Sequence, residues 1–114
     1  MNNREFGNNG EDIACSYLMK NGYEILERNL HFSKFCEIDI VAKYKKQIVF
    51  VEVKTRKTDN FGTPLEAITP KKLENIKTGV FSYIQKYDIK DYRIDAIGIT
   101  IYPQIQIKHL KNIA

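Results

Sequence analysis

Apolar and polar positions alternate along the chain with two different periods. Between Gly10 and Asn21 the apolar residues Ile13, Ala14, Tyr17 and Leu18 recur at helical spacing. Asn8 or Asn9 stands where a helix cap belongs and Gly22 where a helix stops, while residues 1–7 read as loose. Tyr23 to Phe32 reads as a strand of imperfect alternation. Cys36 to Lys43 alternates more cleanly, with Ile38, Ile40 and Ala42 on one face and Glu37, Asp39 and Val41 on the other. Ile48 to Arg56 begins as a strand buried on both sides: Ile48 and Phe50 point one way, Val49, Val51 and Val53 the other. The short polar stretch Tyr44 to Gln47 predicts a hairpin between these two strands. Thr55 to Ile68 has no clear period and is long for a connection, so a poorly ordered loop is expected there. Thr69 and Pro70 open a helix to about Tyr87, with Leu73, Ile76, Val80, Tyr83, Ile84 and Tyr87 on one face. Tyr92 to Ile101 is a fourth strand, Tyr102-Pro103 a turn, and Gln104 to His109 an edge strand whose Ile105 and Ile107 point inward.

These elements predict one α/β domain over residues 1–114: a mixed five-stranded sheet flanked by two helices, in the order α-β-β-β-α-β-β. The first three strands form an antiparallel meander. The helix after them is a crossover, which makes the third and fourth strands parallel and is expected to be right-handed.

The pattern breaks at Glu52 and Lys54, which fall on the Ile48/Phe50 face where core residues are due. Burying a charge is unfavourable unless it is paired or binds a metal. Pairing Tyr44 with Gln47, or Lys43 with Ile48, sets Asp39 directly opposite Glu52. A slip of one residue would put Asp39 on the wrong face. Two carboxylates facing across a ladder repel by about 0.2–1 kcal/mol at a surface and by more when buried. Positive charge is therefore expected between them, part of it from Lys54 and the rest from a divalent cation.

A chain of 114 residues, 43% hydrophobic and 28% charged, can bury a modest core without staples. No apolar run approaches the roughly 18–20 residues that cross a bilayer, and the N-terminus lacks an apolar signal core, so a cytoplasmic location is expected. Cys15 and Cys36 then read as reduced thiols, and together with His31 and His109 they lack zinc-site spacing. A net charge of +4 and a pI near 9.0 tilt mildly toward polyanions. Lys43, Lys45, Lys46, Arg56, Lys57, Lys71 and Lys72 flank the hairpin and the segment after it; any one alone reads as a solvated turn or helix end.

Asp39 followed by Glu52-Val53-Lys54 resembles the D…(D/E)-x-K signature of the restriction-endonuclease-like, PD-(D/E)XK, nuclease superfamily. More narrowly, the chain looks like the YraN-like family of small bacterial proteins, usually described as predicted endonucleases and related in fold to archaeal Holliday-junction resolvases. The matching pieces run the length of the chain: Gly10-Glu11, Arg28-Asn29, Glu37-Ile38-Asp39, Val49 to Lys54, Gly62 and Arg93-x-Asp95. Ile38 stands where the superfamily often has proline, and Cys36 where this family usually has glycine.

The resemblance implies Mg²⁺- or Mn²⁺-dependent cleavage of DNA, with branched or structured DNA favoured. Asp39, Glu52 and the Val53 carbonyl would hold the metal, and Lys54 would orient the attacking water or stabilise the transition state. Glu11 becomes a candidate outer ligand, although an acidic residue in a first helical turn is expected from the helix dipole alone. Lys45, Lys46, Arg56, Lys57, Lys71 and Lys72 are the candidate nucleic-acid contacts; Phe61 could stack on a base, but packing back onto the core is the fate expected first. Arg93 and Asp95 read first as a structural ion pair. A homodimer, with Gln104–His109 as one interface, would suit a two-fold substrate. Two alternatives stay open: a non-catalytic nucleic-acid-binding module, and a partner-binding protein in which Asp39, Glu52 and Lys54 form a buried ion network.

Overall fold

Five strands hydrogen-bond into one sheet in the order of the chain, β1-β2-β3-β4-β5. The computed structural model describes residues 3–33, 36–60 and 62–114. The elements are α1 (Asn3–Lys20), β1 (Glu24–Ser33), β2 (Cys36–Tyr44), β3 (Gln47–Arg56), α2 (Pro70–Lys86), β4 (Tyr92–Thr100) and β5 (Gln106–Leu110). This is the expected α-β-β-β-α-β-β order. β1, β2 and β3 pair antiparallel, β3 and β4 parallel, and β5 antiparallel on β4. Among the described residues no helix is long and apolar enough to cross a membrane.

The two faces of the sheet carry separate cores. On the α1 side Ala14, Leu18 and Tyr23 pack on Ile40, Ala42, Val49, Val51, Val53, Ile97 and Ile99. On the α2 side Ile76, Val80 and Tyr83 pack on Val41, Phe50 and Ile94. This is the alternation expected of β3, where successive residues point to opposite faces. Ile38 departs from it. It joins the α2-side core instead of following Ile40 and Ala42, so β2 does not alternate evenly between Ile38 and Val41. The β2–β3 ladder closes at Ile40 opposite Val51, at the edge of that irregularity.

Three local expectations need correction. α1 begins at Asn3, so residues 3–7 are helical and Asn8 and Asn9 lie inside the helix rather than capping it. No proline interrupts that segment, and Gly7 weakens a helix without stopping it. The connection after β3 is not structureless: Pro64–Ala67 forms a 3₁₀ turn with Pro64 buried. Pro64 and Leu65 lie so close to Gly98 that a Cβ there would press on both. Phe61 lies outside the described residues. Finally, Ile105 and Ile107 are exposed, at 56% and 38%. β5 is the sheet's outer edge, and His109 is its one residue that is not exposed.

The helix ends follow their residues. Gly22, at φ +88°, closes α1 with the Tyr23 N–H reaching the Leu18 carbonyl at 3.0 Å. Thr69 caps α2, its Oγ1 accepting from the Lys72 N–H at 3.2 Å, and Pro70 fills the first helical position.

Candidate active site

β2 and β3 bring Asp39, Glu52 and Lys54 together. The observed pairs run from Tyr44–Gln47 to Ile40–Val51, the expected register up to the residue that follows Asp39. At that point the Asp39 side chain takes over from the backbone ladder: its Oδ2 accepts the Val53 N–H at 2.8 Å. An extended residue points its N–H and C=O toward the same neighbouring strand, so the Val53 carbonyl faces Asp39 as well. Lys54 Nζ lies 3.4 Å from Glu52 Oε1, with the two side chains only 22% and 12% exposed.

The two carboxyl groups lie close enough for each to disturb the ionisation of the other. Burial, then the charge of Asp39, pushes the Glu52 carboxyl up from 4.5 to about 8. Burial raises Asp39 too, opposed by the Val53 N–H and by Glu52. Burial works against the Lys54 ammonium, but Lys72, Glu52 and Asp39 outweigh it and its pKa is raised. The Lys54 ammonium, followed by burial, lowers Lys72.

α1 adds Glu11 from the opposite side of the sheet. Its carboxyl is raised to about 7, first by burial and next by Asp39. Asn29, at a left-handed φ of 52°, donates to both Glu11 oxygens at 3.0 and 3.1 Å once its amide nitrogen is turned toward them. Beside it Arg28 bridges to Asp12 at 2.7 Å. Gly10 makes this approach feasible, because a Cβ there would overlap Thr55 Oγ1 of β3. The Gly10-Glu11 and Arg28-Asn29 pairs thus have one structural meaning: they hold a helix carboxyl next to Asp39.

The remaining candidates separate. Lys72 reaches Lys54, and Arg56 lies two residues beyond Lys54 on the same side of β3. Lys71 is exposed in the first turn of α2, and Lys57 is exposed just past β3. Lys45 and Lys46 sit in the hairpin at the other end of β3, with Lys46 about 26 Å from Lys54 at roughly 3.3 Å per residue. His31 is exposed and 3.7 Å from Glu37. Cys36 turns into α2, where its Sγ donates to the Asn75 carbonyl at 3.0 Å. Sequence reasoning missed the Lys54–Lys72 contact; the only signal for it was a lysine three residues after the Thr69 cap.

Arg93 and Asp95 belong to a different structure on the α1 side. Asp95 is fully buried. It accepts from Arg93 Nε at 3.0 and 3.2 Å, from the Asn112 N–H at 2.9 Å, and meets His109 Nε2 at 2.7 Å. Arg93 also donates to Tyr23 and Gln47, each at 2.7 Å, and His109 Nδ1 meets the Tyr17 hydroxyl at 3.0 Å.

Among the described residues no three His, Cys, Asp or Glu side chains form a closed metal cage. What Asp39, Glu52 and the Val53 carbonyl offer is a partial set of hard oxygen donors. That set suits a cation which keeps several waters, as Mg²⁺ does.

Relatives of nearly equal length are similar to this chain over almost all of it. A UPF0102 protein of Syntrophomonas wolfei is 49% identical over 96% of this chain and 97% of its own. One from Caldanaerobacter subterraneus is 45% identical over 98% and 96%, and one from Clostridioides difficile 40% identical over 98% of both. The model of the Uncharacterised protein family UPF0102 matches residues 10–99, a span that contains every residue of the Glu11–Asp39–Glu52–Lys54–Lys72 arrangement, and the chain belongs to that family.

Proposed function

We propose that the chain is a metal-dependent endonuclease that hydrolyses phosphodiester bonds in DNA, with a restriction-endonuclease-like architecture. The observation that carries this reading is the buried pair Asp39 and Glu52, two acids on adjacent strands with Lys54 3.4 Å from Glu52. A cation between them would relieve the repulsion, and carboxylates from adjacent strands are the ligand type Mg²⁺ and Mn²⁺ prefer. Asp39, Glu52 and the Val53 carbonyl would hold it, with Glu11 an outer partner through water. When bound, such an ion polarises a phosphate and lowers the pKa of a ligated water. The chain's own contributions are these. The Val53 N–H fixes the rotamer of Asp39. Lys54, anchored against Glu52, places an ammonium where negative charge grows on the phosphorus oxygens. Glu11, held by Asn29, keeps a second carboxyl ready to receive a proton near neutral pH.

Branched or structured DNA is the favoured substrate, by resemblance to the junction resolvases. The test is a cleavage screen on duplex, flap and four-way-junction DNA with Mg²⁺ and with Mn²⁺, run beside Asp39→Ala. Wild-type protein is expected to cut at least one substrate only when metal is present, and Asp39→Ala to bind that substrate without cutting it. Equal cleavage by rigorously purified Asp39→Ala would sink the proposal.

A further inference from the structure

Beside the acid pair, on the same face of the sheet, lies a cleft that the proposed chemistry does not use. Lys54 pairs with Gly98 of β4, and Gly98 with Lys108 of β5, so the three form a row across adjacent strands. Alternation from Phe50 and Ile94 puts this row on the α2 side, together with Glu52. Pro64 and Leu65 of the 3₁₀ turn rest on Gly98, where no Cβ holds them off the sheet. Between that turn and β5 is a cleft of about 390 Å³. Small-ligand sites occupy roughly 300–1,000 Å³. Of its lining, Pro64 is buried and Leu65 half-buried, whereas Asp59, Thr63, Gln106 and Lys108 are exposed. An apolar floor under a polar rim suits a flat heterocycle, with the floor against its face and the rim groups on its hydrogen-bonding edge.

The wall of the cleft is held in place by the fold. Thr100 Oγ1 donates to Asp59 Oδ1 at 2.8 Å, and the Tyr102 N–H to the Lys57 carbonyl at 2.7 Å. Gly62, which belongs to the family resemblance but has no part in the acid site, adopts φ +110° and donates its N–H to the Asp59 carbonyl at 3.1 Å. A second hollow, of about 420 Å³, shares Asp59, Thr100 and Gln106 with the first and is walled by Tyr102, whose ring is 60% exposed.

We infer that this trough seats unpaired nucleosides of the DNA strand that is cut. The first base lies on Pro64 and Leu65 with its edge on Asp59 and Gln106, and the next stacks on Tyr102. Lys108 is two strand spacings, about 10 Å, from Lys54, close enough for the seated nucleoside to adjoin a phosphate at the acid pair. A base stacked and paired within a duplex cannot enter; one that is already unpaired can. The trough therefore selects DNA with a single-stranded arm beside the cut. This rests on the nuclease reading for the identity of the ligand.

Binding without metal tests the trough apart from cleavage. A fluorescein-labelled blunt duplex, and the same duplex with a short single-stranded tail, are titrated by anisotropy in EDTA. Wild type is expected to favour the tailed DNA about tenfold. Gln106→Ala and Tyr102→Ala should each remove most of that preference and leave affinity for the blunt duplex unchanged, while Tyr102→Phe keeps the preference. The control is Gln104→Ala, an exposed neighbour that lines neither hollow. All three positions are exposed, so each variant should melt with wild type, and Gln106→Ala alone decides should Tyr102→Ala melt early. Equal binding of both DNAs by wild type overturns the inference. So does a Gln106→Ala loss shared by blunt and tailed DNA, or one matched by Gln104→Ala. Metal-dependent cleavage that ignores the tail leaves the nuclease and removes the trough. A tail preference that needs Gln106, in a protein that cuts nothing, leaves the trough and removes the nuclease.

Discussion

Replacing Glu52 with glutamine separates a metal site from a structural ion network. In the metal-free protein the Glu52 carboxyl is held protonated up to about pH 8, against 4.5 when free in the unfolded chain. A folded-state pKa above the unfolded one means the neutral acid is the form the fold prefers. Below pH 4.5 both states are protonated and Glu52 carries no penalty. Between about 4.5 and 8 the unfolded chain gives up its proton first, so stability falls as pH rises; above 8 the whole penalty is present. About 3.5 pH units at roughly 1.4 kcal/mol each set an upper figure near 5 kcal/mol. Glutamine imitates the protonated acid at every pH and can still donate to Asp39. Glu52→Gln should therefore melt close to wild type at pH 5 and above it at pH 8.5, by about 3–5 kcal/mol, or of order 10 °C. Saturating Mg²⁺ should reverse the ranking, because wild type gains binding energy that the variant cannot. The assay is thermal unfolding by circular dichroism from pH 5 to 8.5, in EDTA and in Mg²⁺. If Glu52→Gln is instead destabilised by about 3–5 kcal/mol at every pH, Glu52 is a partner in a buried ion network and the reasoning fails.

Gly10→Ala should destabilise by about 1–3 kcal/mol in chemical denaturation, since its Cβ would overlap Thr55 Oγ1, and Thr55→Ala should recover part of the loss in the double variant. Asp95→Asn should lower stability by about 3–5 kcal/mol near neutral pH, leaving Arg93 short of its partner. Burial opposes ionisation of Asp95, but His109, Arg93 and the Asn112 N–H outweigh it and hold its pKa below 3.8. Its contribution is therefore present above that value and lost only as acid titrates the folded state. An acid-unfolding limb below about pH 4 should be present in wild type and missing in the variant. Cys15 and Cys36 are buried with thiols raised mainly by burial, so a thiol reagent at pH 7.5 should label neither until the protein is unfolded.

Much of the site was legible because period-two alternation and hairpin parity are short-range facts. Once Tyr44 to Gln47 closes the turn, whether Asp39 meets Glu52 is arithmetic on position numbers. The same arithmetic failed at Ile38, where the ladder ends and alternation with it. It could not reveal the 3₁₀ turn at Pro64–Ala67 either. That turn depends on Gly98, a residue of another strand with no side chain to exclude Pro64 and Leu65. Ile105 and Ile107 carried an inward pattern that tertiary structure leaves on an exposed edge. Whether Lys72 touches Lys54 depended on where the first turn of α2 lands over β3, and no local pattern encodes that.

Two buried acids of this chain show how the structure separates support from chemistry. Asp95 is fully enclosed, yet its oxygens accept from Arg93, from the Asn112 N–H and meet His109. Every charge there has an answer inside the fold, and such a network locks β4, β5 and the C-terminal segment with nothing left to bind. Glu52 is slightly less enclosed, but its partners are another acid and Lys54. A chain selected for stability alone would not keep two buried acids facing each other beside the β2–β3 ladder. Like charges left facing each other are stable only with the opposite charge between them. On the proposed reading a divalent cation takes that place, and a DNA phosphate bound beside it would share its charge. Loading either should therefore tighten the other: DNA should bind more strongly with Ca²⁺ present than in EDTA, and Glu52→Gln should erase that difference while leaving the EDTA affinity in place. Equal strengthening by Ca²⁺ in wild type and Glu52→Gln would show that the cation acts elsewhere, and the paired-ion account would be lost.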